Sequence, residues 1–583
     1  MRKILNKSWR KNHFVETFAV MGVTFCLAIT LVCVFRVDML CNDAAQYIST
    51  GRNIARGEGI STSLIYYEQQ QGKGIPAPQT IWPPGFPFII AIIGCIGVPF
   101  EYAAFLGSLL AQLATLVALL LLLKQMGCSP NWAISGVVLW AALVQGNLTV
   151  LMGLSESTYT VLTLLSMSCF LRGIEDRRRQ RAYMLTAGII AAAAFSVRYA
   201  GIAFIVALAL YLMAQLGMTR DRAWGKVLLL FVVTPVCTVG AVFLRNIALV
   251  GSFSGGPTLH DGGKYYEEAK VLWWCFKNLL GYFEWHTLSI LMTIWLCAGG
   301  AVLLALYLFD NNISWILTSC QKKSGNKASN RNEKKKPIEM VHFCGPGVFY
   351  VIATIIMLVN TDLTSGAGGI GPRYLVPVFP FVIGMAVLVS AKVSAVGSIA
   401  RRRWVIMVAS LTGVLYLIGQ GLAFRTVSKW LTGPSYNRIL VSALESKVGG
   451  GTLLSFLQER TNDGSAIMEA NGQLLGMLLD RGSVGLAPAA YTRKSWDEKE
   501  VLSQVRQYKV SVICLFPTVF DMTHPQHRNR EFIGRLAEGK LPVWLRPILE
   551  TEVYRVYEVD VLKIRSLATF SWVNPDFPNE FLW

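Results

Sequence analysis

The chain has 583 residues, of which 53% are apolar and only 15% are charged. A soluble chain carries about 25% charged residues. The deficit falls in repeated apolar blocks of about twenty residues, each long enough to cross ~30 Å of hydrocarbon. The composition therefore excludes an ordinary soluble protein and predicts a membrane protein.

The net charge of +19 could suggest a nucleic-acid partner, but its distribution does not. Lys and Arg cluster in short segments between apolar blocks, at residues 2–11, 177–181, 220–226, 334–336 and 401–403. Basic segments of this kind mark cytoplasmic loops of multi-pass proteins. We therefore predict a cytoplasmic N-terminus and no nucleic-acid partner.

Apolar blocks follow the chain to about residue 424. The first, near residues 15–35, follows a basic segment and lacks a small-x-small cleavage site, so we predict a retained signal anchor. The others lie near 86–98, 102–123, 131–154, 156–172, 182–196, 200–217, 226–249, 287–309, 343–360, 374–394 and 405–424. Block 86–98 is short, and block 131–154 is interrupted by polar residues, so eleven or thirteen spans are expected. Both numbers place the C-terminus outside.

The predicted organisation is a transmembrane domain at 1–425 and an extracytoplasmic domain at 426–583. The transmembrane domain includes a first outer loop at 37–81 and a basic cytoplasmic loop at 310–341. After about residue 426, short strand-length apolar runs alternate with amphipathic stretches, which is typical of an α/β domain. The predicted fold class is thus an all-α polytopic membrane domain of about 11–13 transmembrane helices with a C-terminal extracytoplasmic α/β domain.

The twelve cysteines lie mostly inside apolar blocks and show no CxxC or other paired spacing. Cysteine in such places is a small apolar filler. The sequence therefore predicts no disulfide framework.

Candidate functional residues fall at the predicted outer ends of the spans. Asp43 follows the first span at a predicted helix start, where an aspartate can also simply cap backbone N–H groups. Trp82 begins the stiff segment WPPGFP and suits a membrane interface. Glu156 follows Ser155 at a second helix start, which a structural role explains equally well.

Three arginines, Arg198, Arg245 and Arg373, also fall at predicted outer ends. Arginine is costly at membrane depth and disfavoured outside by the charge rule. A guanidinium binds phosphate through two parallel hydrogen bonds, so three arginines at one face predict a site for a lipid phosphate. The neighbouring Tyr199 and Tyr374 are expected to anchor the chain at the interface.

A metal site has weaker support. His260, Asp261, Glu284 and His286 lie in one predicted outer loop, but they show no metal-ligand spacing signature. No metal site is therefore assigned from the sequence.

With these residues in place, the chain resembles the GT-C superfamily of polytopic glycosyltransferases, which includes protein O-mannosyltransferases and lipid A aminoarabinose transferases. The resemblance rests on Asp43, Tyr47, the run GRNIARGEG at 51–59 and WPPGFP at 82–87. It continues through Ser155-Glu156, RYAG at 198–201, Arg245-Asn246 and RYLVPVFP at 373–380. These landmarks occur in family order across almost the whole predicted membrane region.

The resemblance implies an inverting transfer of a sugar from a polyprenyl-phosphate donor to a lipid, glycan or protein acceptor. The setting it implies is the extracytoplasmic face of a bacterial inner membrane. Asp43 would be the general base, and Arg198, Arg245 and Arg373 would hold the donor phosphate. The remaining substrate-site candidates are Tyr47, Arg52, Trp82, Glu156, Tyr199 and Tyr374. No cofactor is required, and a divalent metal stays open.

Two departures from the family pattern bear on these roles. Many relatives carry a second acidic residue beside the catalytic aspartate, whereas Asn42 and Ala44 flank Asp43 here, which weakens the case for a metal. PPGFP replaces the commoner PPxYP and lacks its tyrosine hydroxyl.

Two other classes of protein compete with this interpretation. A multi-span transporter or flippase for an anionic lipid-linked substrate could use the same arginines, although such proteins more often show repeats or paired broken helices. A noncatalytic scaffold would leave the arginines and Asp43 unexplained.

Overall fold

The computed structural model contains a large helical membrane region and a smaller region with a mixed sheet. It describes residues 2–253, 255–256, 265–280, 340–365, 371–396, 399–432, 435–461, 464–470, 472–487, 492, 494, 496–516 and 531–568. The predicted basic loop 310–341 and the predicted span 287–309 therefore lie wholly or almost wholly outside the described residues.

The described part of the chain before residue 433 is mainly helical. They are α1 (Arg2–Val34), α2 (Asn42–Ala55), α3 (Gly85–Cys95), α4 (Phe100–Gln125), α5 (Pro130–Ala141), α6 (Val144–Leu151), α7 (Glu156–Glu175), α8 (Gln180–Val197), α9 (Gly201–Thr219), α10 (Ala223–Val250), α11 (Tyr265–Leu279), α12 (Met340–Ser365), α13 (Phe379–Val396) and α14 (Ile399–Thr432). A 3₁₀ helix, Pro372–Val378, leads into α13.

Several of these helices can cross a membrane. Among the described residues, five are long and apolar enough, at Phe100–Gln125, Gly201–Thr219, Ala223–Val250, Pro372–Ala395 and Arg402–Lys429. The pair α5 and α6 makes a sixth if it counts as one span, although it is bent by 53°. Block 86–98 of the sequence is thus the short helix α3, and block 131–154 is the broken pair of α5 and α6. The chain is a multi-pass membrane protein.

The second region is built on a sheet whose strands alternate with short helices. The helices are α15 (Tyr436–Glu445), α16 (Leu453–Arg460), α17 (Gln473–Leu479), α18 (Glu498–Gln507), α19 (Glu531–Ala537) and α20 (Val561–Ala568). The strands, counted from the first loop onward, are β1 (Ser61–Thr62), β2 (Leu64–Ile65), β3 (Ala77–Pro78), β4 (Lys447–Val448), β5 (Gly451–Thr452), β6 (Ala466–Glu469), β7 (Gly482–Gly485), β8 (Val510–Leu515), β9 (Leu545–Glu550) and β10 (Arg555–Val559).

The main sheet has six strands in the order β2-β7-β6-β8-β10-β9. The first four run parallel, and β10 runs antiparallel to both β8 and β9. The predicted fold class, a polytopic helical membrane region with a C-terminal α/β region, is confirmed. The sequence did not predict that the first loop, residues 37–81, supplies the edge strand β2.

The two largest hydrophobic cores of the described residues lie among the membrane helices and where these helices meet the C-terminal region. The larger consists of side chains from the membrane helices, such as Leu123, Phe170 and Phe204. The second runs without a break from α2 and α3 into the C-terminal region, and it includes Tyr47 and Leu475. The first loop is therefore buried between the two regions rather than lying free over the membrane helices.

Candidate functional site

Asp43 lies in the first turn of α2, where a negative charge is stabilised by the helix dipole. Its carboxylate does not serve as the helix cap, because the capping position is Cys41. Instead, Asp43 Oδ2 lies 2.8 Å from Arg373 Nη2 in an ion pair. Both side chains stay partly accessible, at 21% for Asp43 and 26% for Arg373. The predicted base and one predicted phosphate ligand therefore meet at one accessible point.

A second ion pair joins α7 to the end of α8. Glu156 Oε1 lies 2.8 Å from Arg198 Nη1, and the glutamate side chain is fully buried. The same Arg198 nitrogen donates a hydrogen bond to Ser155 Oγ at 3.2 Å. Ser155 Oγ is also 3.2 Å from the Tyr47 hydroxyl. These contacts connect α7 and α8 to α2, one turn beyond Asp43.

Tyr374 brings the two arginines together. The Arg373 guanidinium carbon lies 4.9 Å and the Arg198 guanidinium carbon 5.6 Å from the centre of the Tyr374 ring. Arg373 Nη2 also donates to the Tyr374 hydroxyl at 3.0 Å. A cation over an aromatic face is attracted by its quadrupole. Tyr374, which belongs to the 3₁₀ helix, therefore contacts both guanidinium groups. These contacts go beyond the interfacial anchoring that was predicted for it.

The charges of this cluster balance. Two carboxylates, Asp43 and Glu156, face two guanidinium groups, Arg198 and Arg373. Arg373 is the more accessible of the two arginines, at 26% against 14% for Arg198. An anion that enters the site can displace the Asp43 carboxylate from the Arg373 guanidinium. The displaced carboxylate is then free to accept a proton.

Two nearby groups are held in their protonated forms. Burial raises the pKa of the Cys41 thiol to about 12, and the charge of Asp43 acts in the same direction. Burial likewise raises the pKa of the Tyr47 hydroxyl. Burial disfavours the charged form of either group, so near neutral pH neither a thiolate nor a phenolate is available. Asp43 is the accessible carboxylate of the cluster and the best candidate for a base.

The other predicted site residues lie around the first loop. Arg245 donates to the backbone carbonyls of Gln79 at 2.9 Å and Ile60 at 3.0 Å, so in this structure it holds the loop. The Tyr199 hydroxyl donates to the Thr80 carbonyl at 2.7 Å. Neither residue contacts Asp43 through a described hydrogen bond.

Trp82 and Arg52 extend from the cluster towards the C-terminal region. The Trp82 ring packs edge-on against Tyr47 and Tyr67, with centroid distances of 6.1 Å and 5.2 Å. Arg52 Nη2 pairs with Glu101 Oε1 and Arg52 Nη1 with Asp480 Oδ1, both at 2.8 Å. Trp82 thus borders the site, whereas Arg52 joins α2 to α4 and to the C-terminal region.

The structure leaves the metal question as the sequence had it. Within the described ranges, no group of three or more His, Cys, Asp or Glu side chains is arranged to hold a metal ion. The four weak candidates, His260, Asp261, Glu284 and His286, lie outside the described residues.

Sequence reasoning missed three residues that hold α2 in place: Gln46 on the helix itself, and Glu101 and Asp480, which pair with Arg52 of the helix. Gln46 is fully buried among polar partners. Its partner Gln473 lies 427 positions away in the chain, and no local pattern relates two such positions. The local sequence shows only that Gln46 stands among apolar residues of a predicted helix, which indicates burial but not its partners.

Comparisons with known proteins bear on the fold and the family of the chain. The sequence model of the family described as dolichyl-phosphate-mannose-protein mannosyltransferase matches residues 82–240. No curated protein matches the chain.

Among solved structures, ArnT from Cupriavidus metallidurans bound to undecaprenyl phosphate is similar, with a TM-score of 0.55 and 12% identity. The alignment covers 93% of this chain and 97% of that one. ArnT from the same organism in the apo state gives a TM-score of 0.53 and 12% identity, over 93% of this chain and 99% of that one. At this identity the likeness shows a shared fold. The chain therefore shares the fold of ArnT, and over residues 82–240 it is similar to the mannosyltransferase family.

Proposed function

We propose that the chain transfers a sugar from a polyprenyl-phosphate donor to an acceptor hydroxyl, with inversion at the anomeric carbon. The observation that carries the proposal is the accessible contact between Asp43 Oδ2 and Arg373 Nη2 at 2.8 Å. It joins a potential base to a phosphate-binding group, and the reaction needs both within a few ångströms of the anomeric carbon. The ArnT structure with bound undecaprenyl phosphate supports a lipid-phosphate donor.

The reaction follows from these groups. The acceptor oxygen attacks the anomeric carbon from the face opposite the phosphate, and the bond from that carbon to the phosphate oxygen breaks. The Asp43 carboxylate takes the acceptor's proton, and the lipid phosphate leaves as an anion. General-base help of this kind contributes about 10²–10⁴-fold to the rate.

Arg373 and Arg198 bind the charge that builds on the leaving phosphate. Arginine suits this task because its planar guanidinium offers two parallel N–H donors to a phosphate and stays charged. Electrostatic stabilisation of developing charge is often the largest contribution to an enzyme's rate. Arg245 is assigned the supporting task of holding the first loop, on the contacts it makes.

The geometry of α7 and α8 supports an extracytoplasmic site. Glu156 begins α7 and Arg198 follows α8, while the basic segment 177–181 connects the other ends of the two helices. The twenty residues of α7 span about 30 Å at 1.5 Å per residue, so the site and the basic segment lie about 30 Å apart along the helix. Basic segments mark the cytoplasmic side.

A transporter or flippase for an anionic lipid-linked substrate is the second candidate, because of the break between α5 and α6. These helices meet at 53°, and the first N–H of α6, on Val144, bonds to Gln420 Oε1 at 2.9 Å rather than to its own helix. Discontinuous helices with polar supports are common in transporters. The break alone does not explain Asp43.

Purified protein in nanodiscs, incubated with a panel of polyprenyl-phosphate sugars, tests the two candidates. Thermal stabilisation reports donor binding, and slow release of free sugar reports hydrolysis, with Asp43→Asn measured beside the wild type. We expect one donor to stabilise both proteins and only the wild type to hydrolyse it. If no lipid-phosphate sugar raises the melting temperature, the glycosyltransferase proposal is refuted and the transporter candidate takes its place.

A further inference from the structure

Gln46 connects the helix that carries Asp43 to the C-terminal region. It lies three residues after Asp43 on α2, and its side chain is fully buried. Its Nε2 donates to Gln473 Oε1 at 3.0 Å and to the Leu64 carbonyl at 3.2 Å. Gln473 begins α17, and Leu64 begins β2. One amide thus holds α2 against two elements of the C-terminal sheet region.

The other end of the same amide holds the first loop. Gln46 Oε1 accepts hydrogen bonds from Thr62 Oγ1 at 2.9 Å, Gln79 Nε2 at 3.2 Å and Gln70 Nε2 at 3.3 Å. A buried polar side chain is costly unless its donors and acceptors are satisfied. Here every hydrogen-bonding atom of the amide is used, so the position of Gln46 is set from several directions at once.

Further contacts join α2 to the C-terminal region along its length. At its far end, Arg52 Nη1 donates to the Met477 carbonyl at 3.0 Å and pairs with Asp480 at 2.8 Å, and Arg56 pairs with the same aspartate. Before its first turn, Asn437 Nδ2 donates to the Leu40 carbonyl at 2.6 Å. The helix is therefore held at both ends as well as at Gln46.

The main sheet includes the first loop as well. β2 pairs with β7 in parallel, with Leu64 opposite Ser483 and Ile65 opposite Val484. The edge strand of the C-terminal sheet, β2, thus begins at Leu64, soon after α2 ends at Ala55. A movement of this sheet relative to the membrane helices must move β2 and α2 with it.

From these contacts we propose that the C-terminal region is part of the catalytic apparatus, and that Gln46 is the positioning residue through which it fixes Asp43. The inference rests on the proposed function, because it takes Asp43 as the general base whose position the contacts of Gln46 determine. Side chains three residues apart on a helix are neighbours, so a shift at Gln46 moves Asp43 relative to Arg373. A misplacement of about 1 Å can cost about 10²-fold in rate.

The test compares Gln46→Met with Gln504→Met in the full-length protein. Methionine has a similar length and cannot replace the amide's hydrogen bonds. Gln504 is a matched control because it is also a buried glutamine (3% exposed) of the C-terminal region, on α18. Two quantities are measured: hydrogen exchange of the α2 amides without substrate, and kcat and KM for the donor per molecule of folded protein.

We expect Gln46→Met to speed exchange in α2 and lower kcat at least tenfold, with donor KM within twofold of wild type. Gln504→Met should change neither quantity. A merely structural glutamine would lower the melting temperature but leave kcat of the folded fraction unchanged, and that result overturns the inference.

Gln46→Glu gives a second readout. Its neutral carboxyl can still donate one hydrogen bond to Gln473, whereas its ionised form faces carbonyl acceptors. We expect its kcat, as a fraction of the wild-type value at each pH, to rise as the pH falls. A flat ratio combined with wild-type exchange counts against the positioning role.

Failure of the proposed function can be told apart from failure of this inference. If the wild type turns over no polyprenyl-phosphate sugar, the proposed function fails, while the exchange measurement still tests the hold on α2. In that case, wild-type exchange in Gln46→Met overturns the inference as well, and faster exchange confined to α2 supports it.

Discussion

Replacing Arg373 by alanine separates donor binding from folding. In the structure its guanidinium pairs with Asp43 at 2.8 Å, and the two side chains are 26% and 21% exposed. A pair this accessible is partly screened by water and contributes about 0–1 kcal/mol to stability, and the contact of Arg373 with the Tyr374 ring adds about 0.5–1 kcal/mol. We therefore expect Arg373→Ala to lower the melting temperature only modestly.

Its effect on donor binding should be larger. A hydrogen bond to a charged group contributes about 1.5–3 kcal/mol, and part of this is spent in the wild type on breaking the contact with Asp43. A net loss of about 2 kcal/mol corresponds to roughly 30-fold weaker donor binding, since 1.4 kcal/mol is tenfold.

The assay is a titration of a fluorescent polyprenyl-phosphate sugar into nanodisc-embedded protein, with Arg245→Ala as the control. Arg245 donates to two carbonyls of the first loop, so its loss should lower the melting temperature and leave the donor Kd of the folded fraction within about threefold. Donor affinity that is unchanged in Arg373→Ala, or an equal loss in both variants, would refute the assignment of Arg373 to the phosphate.

Three further substitutions test other parts of the site. Asp43→Asn keeps the shape of the side chain and removes the base, so kcat should fall about 10²–10⁴-fold while donor binding persists in the same titration; retained turnover would point to another base. Glu156→Gln removes the buried charge that pairs with Arg198, whose side chain is only 14% exposed. It should destabilise the fold by about 3–5 kcal/mol, measured by thermal unfolding in detergent, and an unchanged melting temperature would contradict the buried pair. Gly51→Ala places a Cβ within 3.0 Å of Ile90 side-chain atoms, and overpacking of this kind costs about 1–3 kcal/mol; a melting temperature equal to that of wild type would show that α2 and α3 can separate freely.

The candidate site was predictable in part because its residues follow local patterns. Asp43 stands at a helix start, and Arg198 and Arg373 stand at span ends where arginine is disfavoured unless it binds something. The pairing was not predictable. Nothing in the sequence relates Asp43 to Arg373 rather than to another arginine, because 330 positions separate them and the pairing depends on how the helices pack.

Arg245 and Arg52 show that the sequence also does not reveal which group an arginine binds. The sequence predicts Arg245 as a ligand of the donor phosphate and Arg52 as a substrate-site residue. In the structure Arg245 binds carbonyls of the first loop, and Arg52 binds Met477, Glu101 and Asp480. A guanidinium binds carbonyl, carboxylate and phosphate oxygens alike, so its residue type does not reveal its partner.

The sequence by itself determined that this chain lies in a membrane and ends in an α/β region, because hydropathy and strand-length periodicity are local properties. Only the tertiary structure decided that the first loop belongs to both regions. Its edge strand β2 joins β7, and its helix α2 is held by Gln473 through Gln46. These contacts join residues more than 400 positions apart, and they exist only because burial of α2 between the two regions requires each of its polar groups to find a partner there.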